Sequence, residues 1–248
     1  MRNLRISAVP LTTLLMALSS GFVVAEEQAT PPFAPLSDYK QETIHEFTVL
    51  VHRSVDEHAE TAKQVRDEMG RQLAAAARAL PAEPLAAVRK VRIWVEWNAK
   101  PRGGAEFHPS RQWLAEHGYN PEKAGNVEIC NARNFVAWSE AAQPCMVLHE
   151  LAHAYHFRVL GADDASIQAA YQHALDAGLY DKVAHVDGST QKAYATTDEK
   201  EYFAELSEAY FGRNDFFPFT RKELEEHDPV GFAAIRDAWE PPVRDAGE

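Results

Sequence analysis

Basic charge, cysteine and long apolar segments are all scarce in this 248-residue sequence. Only 25 lysines and arginines stand against 37 aspartates and glutamates, so the formal charge is −12 at pH 7. Because binding to phosphate groups requires a basic surface, this balance argues against a nucleic-acid partner and against an anionic membrane surface. No segment approaches the roughly 20 consecutive apolar residues that a membrane span needs, so we expect no span.

The first 25 residues have the pattern of an export signal. Arg2 and Arg5 precede a short apolar stretch over 11–18, and Val23-Val24-Ala25 provides small residues before a cleavage point. We therefore expect cleavage near Ala25 and export to the periplasm or out of the cell. Cleavage would remove two arginines and no acids, so the formal charge of the mature chain would be −14.

Cys130 and Cys145 are the only two cysteines. In an oxidising compartment, a pair so close in sequence favours a disulfide. Closing a loop of about 15 residues would stabilise the fold by roughly 3 kcal/mol on the chain-entropy model. The alternative is that both thiols stay free and act as small buried apolar side chains.

The mature chain has the length of a single domain. Residues 26–40, with three prolines, are interpreted as a flexible lead-in. Residues 41–248 are predicted to form one α+β domain, with an N-terminal α/β part over 41–142 and a C-terminal helical part over 143–248.

Apolar periodicity predicts the elements of the N-terminal part. Alternating apolar residues indicate strands around 47–51 and 91–97, and apolar residues at three- and four-residue steps indicate a helix over 56–80. The turn-rich segment 98–110 is predicted to be an exposed loop. Residues 127–135 are predicted to form a strand at the sheet edge, because asparagines interrupt its apolar pattern, and such an edge could pair with an extended substrate.

The segment His149-Glu150-Leu151-Ala152-His153 carries the chemistry of a metal site. On a helix, residues four apart share a face, which places the two imidazoles roughly 6 Å apart. Two neutral imidazoles can bind one Zn²⁺, and Glu150 beside them can take a proton from a water that the metal activates.

A catalytic zinc takes three protein ligands, so a further ligand is needed. A third histidine six residues after the second is excluded, because that position is Val159. The other option is a glutamate from "TDEKEYFAELSEAYFG", an amphipathic helix in which three acids share one face. One carboxylate could bind the metal and another could accept the N–H of a ligating histidine, although an acidic face is also common on a protein surface. The candidates are Glu199, Glu201, Glu205 and Glu208.

These two motifs resemble those of the gluzincin metallopeptidases, and "YATTDEKEYFAE" is similar to the corresponding segment in the family of anthrax toxin lethal factor. The resemblance extends over 149–212, about a quarter of the chain. It implies a zincin-like domain, with a small mixed sheet whose edge strand lies over the active-site helix. It also implies Glu201 as the third ligand, Glu205 as the partner of a ligating histidine, and Tyr194 as a phenol facing the reacting carbonyl.

The expected function is therefore that of an exported zinc metallopeptidase. It would bind one Zn²⁺ per chain and hydrolyse a peptide or protein substrate, with Glu150 as the base. The alternative is a zinc-binding or interaction protein that keeps the scaffold without catalysis. Glu150 favours the enzyme, because a structural zinc site is closed by a fourth ligand and has no use for a free carboxylate beside the metal.

Overall fold

The computed structural model of the protein describes residues 33–240. The predicted export signal lies outside the described residues. The strands are β1 (Tyr39–Ile44), β2 (Phe47–His52), β3 (Ile93–Val95), β4 (Ala105–Phe107), β5 (Val127–Ile129), β6 (Val183–Ala184) and β7 (Thr190–Gln191). The helices are α1 (Arg53–Asp56), α2 (Ala59–Ala79), α3 (Ala82–Val88), α4 (Arg111–Glu116), α5 (Ala132–Ala141), α6 (Met146–Tyr155), α7 (Ala165–Asp176), α8 (Glu199–Phe211), α9 (Arg221–His227) and α10 (Pro229–Trp239). No helix in this range is long and apolar enough to cross a membrane.

The first five strands form a small mixed sheet in the order β1-β2-β3-β5-β4. The two parallel pairings, of β3 with β2 and with β5, lie in the middle, and the two antiparallel pairings lie at the edges. The last two strands form a separate short hairpin. The fold is thus mixed α and β with a small mixed sheet, as the sequence predicts at that level.

The predicted strands around 47–51 and 91–97 are present as β2 and β3, and α2 fills most of the predicted helix over 56–80. Helix α2 packs mainly against α5 and α6 and buries an apolar stripe in the core, namely Ala62, Val65, Met69, Leu73 and Ala76. The start of the domain differs from the prediction, because Tyr39 and Lys40 of the predicted lead-in already belong to β1.

The predicted edge strand over 127–135 is wrong in two respects. Strand β5 ends at Ile129, because the Asn131 side chain accepts hydrogen bonds from the backbone N–H groups of Arg133 and Asn134, both at 3.1 Å, and begins helix α5. An asparagine in this position is a preferred helix N-cap. Strand β5 is also interior to the sheet. The two edge strands are β1 and β4, and β4 lies within the segment predicted to be an exposed loop.

Helix α6 contacts β4 on one side and α8 on another. Its first turn is fixed by Gln72 of α2. The Gln72 Oε1 atom accepts a hydrogen bond from the Val147 backbone N–H at 2.8 Å, and its Nε2 atom donates to Ser139 Oγ at 2.9 Å. Because the first N–H groups of a helix have no partner within the helix, this contact satisfies a buried donor and holds the start of α6 in place.

A chain of buried polar side chains links the sheet to the loop that follows β4. Lys123 Nζ donates to Glu96 at 2.7 Å and to Glu128 at 2.6 Å, and Glu128 also contacts His108 Nε2 at 2.7 Å. Tyr39 donates to Glu96 at 2.5 Å. Burial would raise the pKa of Glu128, but the contacts with His108 and Lys123 outweigh it and hold that pKa below its usual value. We call this set the Lys123 network.

Cys130 and Cys145 are both free thiols, so the predicted disulfide is absent from the structure. The two sulfur atoms have separate partners. Cys130 contacts the Glu128 backbone carbonyl at 3.7 Å, and Cys145 Sγ accepts a hydrogen bond from the Arg213 backbone N–H at 3.4 Å. Burial raises the pKa of both, to about 11 for Cys145. Two free thiols, with Cys130 buried and Cys145 partly buried, fit the alternative interpretation.

Candidate metal centre

The structure brings His149, His153 and Glu201 together at one point between α6 and α8. The Glu201 Oε2 atom lies 3.0 Å from His149 Nε2 and 3.2 Å from His153 Nε2. These three residues form one of the two sets of potential metal ligands in the described part of the chain whose ligand atoms lie within 4.8 Å of one another.

This spacing fits a zinc ion. Four ligands arranged tetrahedrally at about 2.0–2.1 Å from the metal lie about 3.3–3.4 Å from one another. The two distances measured to Glu201 Oε2 are close to that edge length. The donor set of two imidazoles and one carboxylate is one that zinc takes in catalytic sites, where a fourth position stays open.

Helix α8 is fixed at the turn that carries Glu201. Asp198 caps the helix by accepting hydrogen bonds from the backbone N–H groups of Lys200 and Glu201, both at 2.9 Å. The positive end of the helix dipole therefore lies beside the Glu201 carboxylate and favours its charged form. Burial would raise the pKa of Glu201, but the hydrogen bonds with His149 and His153 outweigh it and hold the pKa well below its usual range.

The His149 ring is oriented by a hydrogen bond with Glu208 rather than with Glu205. His149 Nδ1 lies 2.7 Å from Glu208 Oε1 but 3.8 Å from Glu205 Oε1, which is beyond hydrogen-bonding distance. The prediction that Glu205 is the partner of a ligating histidine is therefore corrected to Glu208. A hydrogen bond of this kind fixes the tautomer and the ring direction, which presents the Nε2 lone pair to a metal.

Glu150 follows His149 on α6 and is buried, with 7% of its surface exposed. Burial is the largest influence on its pKa and raises it above the usual value, against the opposing attraction of His149 and His153. A raised pKa makes a carboxylate a stronger proton acceptor. This is the property that a general base requires near neutral pH.

Tyr194 stands at the mouth of the same site. It begins a short 3-10 helix over Tyr194–Thr196, and the residue is 48% exposed. The hydroxyl donates to Glu201 Oε1 at 3.3 Å, which is the second oxygen of the predicted ligand. Partial burial and the nearby charge of Glu201 raise the pKa of Tyr194 to about 12, so the phenol keeps its proton and remains a donor.

The centre lies in a cleft with a volume of about 830 Å³. Edge strand β4 and the loop after it form one wall, and apolar side chains line much of the rest, including Phe107, Trp113, Trp138, Met146 and Phe216. No lysine or arginine is among the described residues that line the cleft, whereas six acids are. These acids are Glu106, Glu150, Glu201, Glu205, Glu208 and Asp215. Burial raises the pKa of four of them, Glu150, Glu205, Glu208 and Asp215, because their charged forms are shielded from water.

Two histidines near the site differ from the ligands. His108 lines the cleft, but its Nε2 atom is engaged with Glu128 in the Lys123 network. His156, one turn after His153, is 2% exposed and neither ring nitrogen has a hydrogen-bond partner among the described residues. It packs against the ring of Phe203 at 5.0 Å and is part of the core rather than of the metal centre.

Sequence reasoning missed Asp215 and Asn214, which lie beside the acids of α8. They follow α8 in an irregular loop, where no periodic pattern marks an inward-facing side chain. The loop is held by the Asp215 backbone carbonyl, which accepts a hydrogen bond from the Val186 N–H at 2.9 Å.

Comparison of the chain with protein-family models, with curated proteins and with solved structures finds no match.

Proposed function

We propose that the protein is a zinc-dependent peptidase of the gluzincin type, with a zincin-like domain. The observation that carries the proposal is the convergence of two imidazole nitrogens and one carboxylate oxygen at the bottom of an open cleft, with a buried carboxylate beside them. His149, His153 and Glu201 would hold one Zn²⁺ per chain. Export of the protein remains a prediction from residues 1–25.

Bound zinc would supply a Lewis acid that polarises the scissile carbonyl and lowers the pKa of a water. Glu150 accepts the proton of the attacking water and later delivers it to the leaving amine. Its burial in the cleft wall keeps its carboxylate dehydrated, which strengthens it as a base.

Tyr194 is the donor for the negative charge that develops on the carbonyl oxygen. Its hydroxyl is held near the reacting position through Glu201 Oε1 and keeps its proton at neutral pH. A donor aimed at developing charge typically contributes a factor of about 10²–10³ to kcat.

Strand β4 gives the cleft a surface for an extended peptide. It pairs with β5 on one side only, so its other side is open to a ladder with a substrate, apart from the Phe107 backbone N–H, which faces the Glu150 carboxylate. Pairing of this kind binds any extended peptide through its main chain, while side-chain pockets provide the specificity. The sequence pattern predicts this pairing for residues 127–135, but β4 is the edge strand that lines the cleft.

The first test is zinc content, measured by inductively coupled plasma mass spectrometry on the purified protein after dialysis. We expect about one zinc per chain in the wild type and in Glu150→Gln, and a loss in Glu201→Ala. The matched control is Glu199→Ala, because Glu199 lies in the same helical turn but pairs with Lys200 at 2.7 Å. Zinc retention by Glu201→Ala at the wild-type level would refute the ligand assignment.

The second test separates an enzyme from a zinc-binding scaffold. A peptide library is incubated with the wild type and with zinc-loaded Glu150→Gln, and products are identified by mass spectrometry. We expect cleavage by the wild type and at least about 10²-fold slower cleavage by the variant, since general base catalysis contributes roughly 10²–10⁴. A zinc-loaded wild type that cuts nothing would favour the scaffold alternative.

A further inference from the structure

Behind the metal centre, three carboxylates meet at the floor of the cleft. Glu205 and Glu208 come from α8, and Asp215 comes from the loop that follows. All three line the cleft, although they are only 3%, 4% and 6% exposed respectively. We call this set, together with Asn214, the floor cluster.

Several acceptors of the floor cluster have no hydrogen-bond partner among the described residues. They are Glu205 Oε2, Asp215 Oδ1 and the amide oxygen of Asn214, a residue that is only 2% exposed. Buried polar atoms are almost always satisfied, because each unpaired acceptor costs about 1–3 kcal/mol. All three orphaned atoms are acceptors, so the missing partner is a group rich in donors.

The nearby side chains of the protein do not supply that partner. No lysine or arginine lines the cleft within the described residues. His149 Nδ1 is already engaged with Glu208 Oε1. His185 Nε2 is 3.8 Å from Asp215 Oδ2, which is too far for a hydrogen bond. The described residues therefore leave these acceptors without a donor, and a cation that enters through the cleft would supply one.

The spread of the acids favours an extended cation over a single ion. Glu205 and Glu208 form a set of close ligand atoms with His149, but Asp215 belongs to neither such set in the described chain. Small divalent ions need their oxygen ligands around one point. A guanidinium instead offers five N–H donors in a planar fork, and an ammonium offers three on a flexible stem, so both can bridge acceptors that lie apart.

We propose that the floor cluster binds the cationic side chain of an arginine or lysine next to the scissile bond of a peptide substrate. The inference rests on the proposed peptidase function and adds a substrate class to it. Glu205 follows Glu201 by one helical turn, a rise of about 6 Å. That distance is within reach of an arginine or lysine side chain whose backbone lies at the metal centre. The ring of Phe216, beside Asp215 in the cleft, provides an apolar surface for the stem.

The test compares arginine with citrulline, its uncharged counterpart of nearly equal shape. A peptide cut in the library is resynthesised with arginine, citrulline or glutamate at each of the two residues flanking the cleaved bond. We expect arginine to exceed citrulline by about 10- to 100-fold in kcat/KM at one of the two positions, as one charge-assisted hydrogen bond would provide. Glutamate at that position should be the poorest.

Asp215→Asn is the variant that tests the residue assignment. It keeps the shape of the side chain and removes one charge, so the ratio of arginine to citrulline should fall toward one. The matched control is Asp187→Asn. Asp187 also lies beside His185, at 2.9 Å, but its side chain is 57% exposed and does not line the cleft. This control should leave the ratio unchanged.

A binding measurement separates this inference from the proposed function. Nα-acetyl-L-argininamide and its citrulline counterpart are titrated into Glu150→Gln by calorimetry, with and without Asp215→Asn. Binding of the arginine probe alone, lost in the double variant, supports the pocket even if no peptide is cut. Equal cleavage of arginine and citrulline peptides, or equal binding of the two probes, overturns the inference while leaving the peptidase proposal standing.

Discussion

The contact between His149 and Glu208 gives a prediction that the structure makes and the sequence does not. Removing the Glu208 carboxylate should weaken zinc binding more than removing the Glu205 carboxylate. The two residues lie on the same helix and are buried to almost the same degree, at 4% and 3% exposure. They differ in their distance to His149 Nδ1, which is 2.7 Å for Glu208 and 3.8 Å for Glu205.

The expected magnitude follows from that difference. A carboxylate hydrogen-bonded to a ligating histidine typically contributes 10- to 100-fold to metal affinity, which corresponds to about 1.4–2.8 kcal/mol. We therefore expect Glu208→Ala to raise the Kd for zinc by about 10- to 100-fold. Glu208→Gln should lie between Glu208→Ala and the wild type, because an amide oxygen still accepts the N–H but without the charge that makes the bond stronger. Glu205→Ala loses no hydrogen bond to His149 and should change the Kd by less than about threefold.

The assay is competition for zinc between the protein and a chromogenic chelator of known affinity, at pH 7.5. Thermal unfolding of each variant without added zinc shows whether the fold is retained. Both alanine variants remove a buried side chain of the same size, so a general packing effect would weaken binding equally in the two. A Kd for Glu205→Ala as high as that for Glu208→Ala would refute the assignment of Glu208 as the residue that positions His149.

Two further predictions concern the Lys123 network and the phenol of the cleft. The lowered pKa of Glu128 stabilises the fold above pH 4.5, its usual pKa, and this contribution is lost as the pH falls through the folded-state value. Glu128→Gln should lower the free energy of unfolding by about 3–5 kcal/mol at pH 7, because Lys123 keeps a buried charge with one carboxylate fewer. This loss of unfolding free energy should be smaller at pH 3.5, as measured by urea unfolding. The control is Glu60→Gln on the exposed surface. A loss that is the same at both pH values, or equal to that of the control, would contradict the role of Glu128. Tyr194→Phe should lower kcat by about 10²-fold with little change in KM or zinc content, and an unchanged kcat would remove Tyr194 from the mechanism.

The sequence predicts those helices and strands whose apolar pattern extends over enough residues to be distinctive. Helix α2 repeats its buried apolar positions over 21 residues, and the six residues of β2 include the alternate buried positions Phe47, Val49 and Val51, so the sequence predicts both elements. Strands β4 and β5 have three residues each, too few for any alternation to be distinctive. Their pairing depends on contacts with distant segments, which is why the edge strand was assigned to the wrong part of the chain.

The asparagines after β5 show how one local signal permits two interpretations. The sequence pattern presents Asn131 as a polar break within an edge strand, whereas Asn131 caps helix α5. Both interpretations follow from the poor β propensity of asparagine, and N-capping is the use that satisfies two backbone N–H groups here. Only two residues separate the end of β5 from the start of α5, so the longer strand that the sequence pattern predicts has no room.

At the metal centre too, some residues can be predicted from local sequence and others depend on distant segments. The pairing of His149 with His153 follows from helical geometry alone, and the choice of Glu201 came from a resemblance to a family rather than from spacing. The structure brings the three side chains together, with Glu201 Oε2 at 3.0 Å from His149 Nε2 and 3.2 Å from His153 Nε2.

The three acids that share one face of α8, namely Glu201, Glu205 and Glu208, show why the remaining roles could not be predicted from the sequence. In a helix of 3.6 residues per turn, Glu205 is rotated by about 40° from Glu201 and Glu208 by about 20° in the opposite sense. Both therefore share a face with the ligand, and rotation alone does not choose between them. The choice depends on how α6 crosses α8, because one imidazole contacts Glu201 through Nε2 and Glu208 through Nδ1 and so bridges about two turns of the helix. Glu205 lies between these contacts along the helix. Its Oε1 atom stays 3.8 Å from His149 Nδ1, and its Oε2 atom has no hydrogen-bond partner among the described residues.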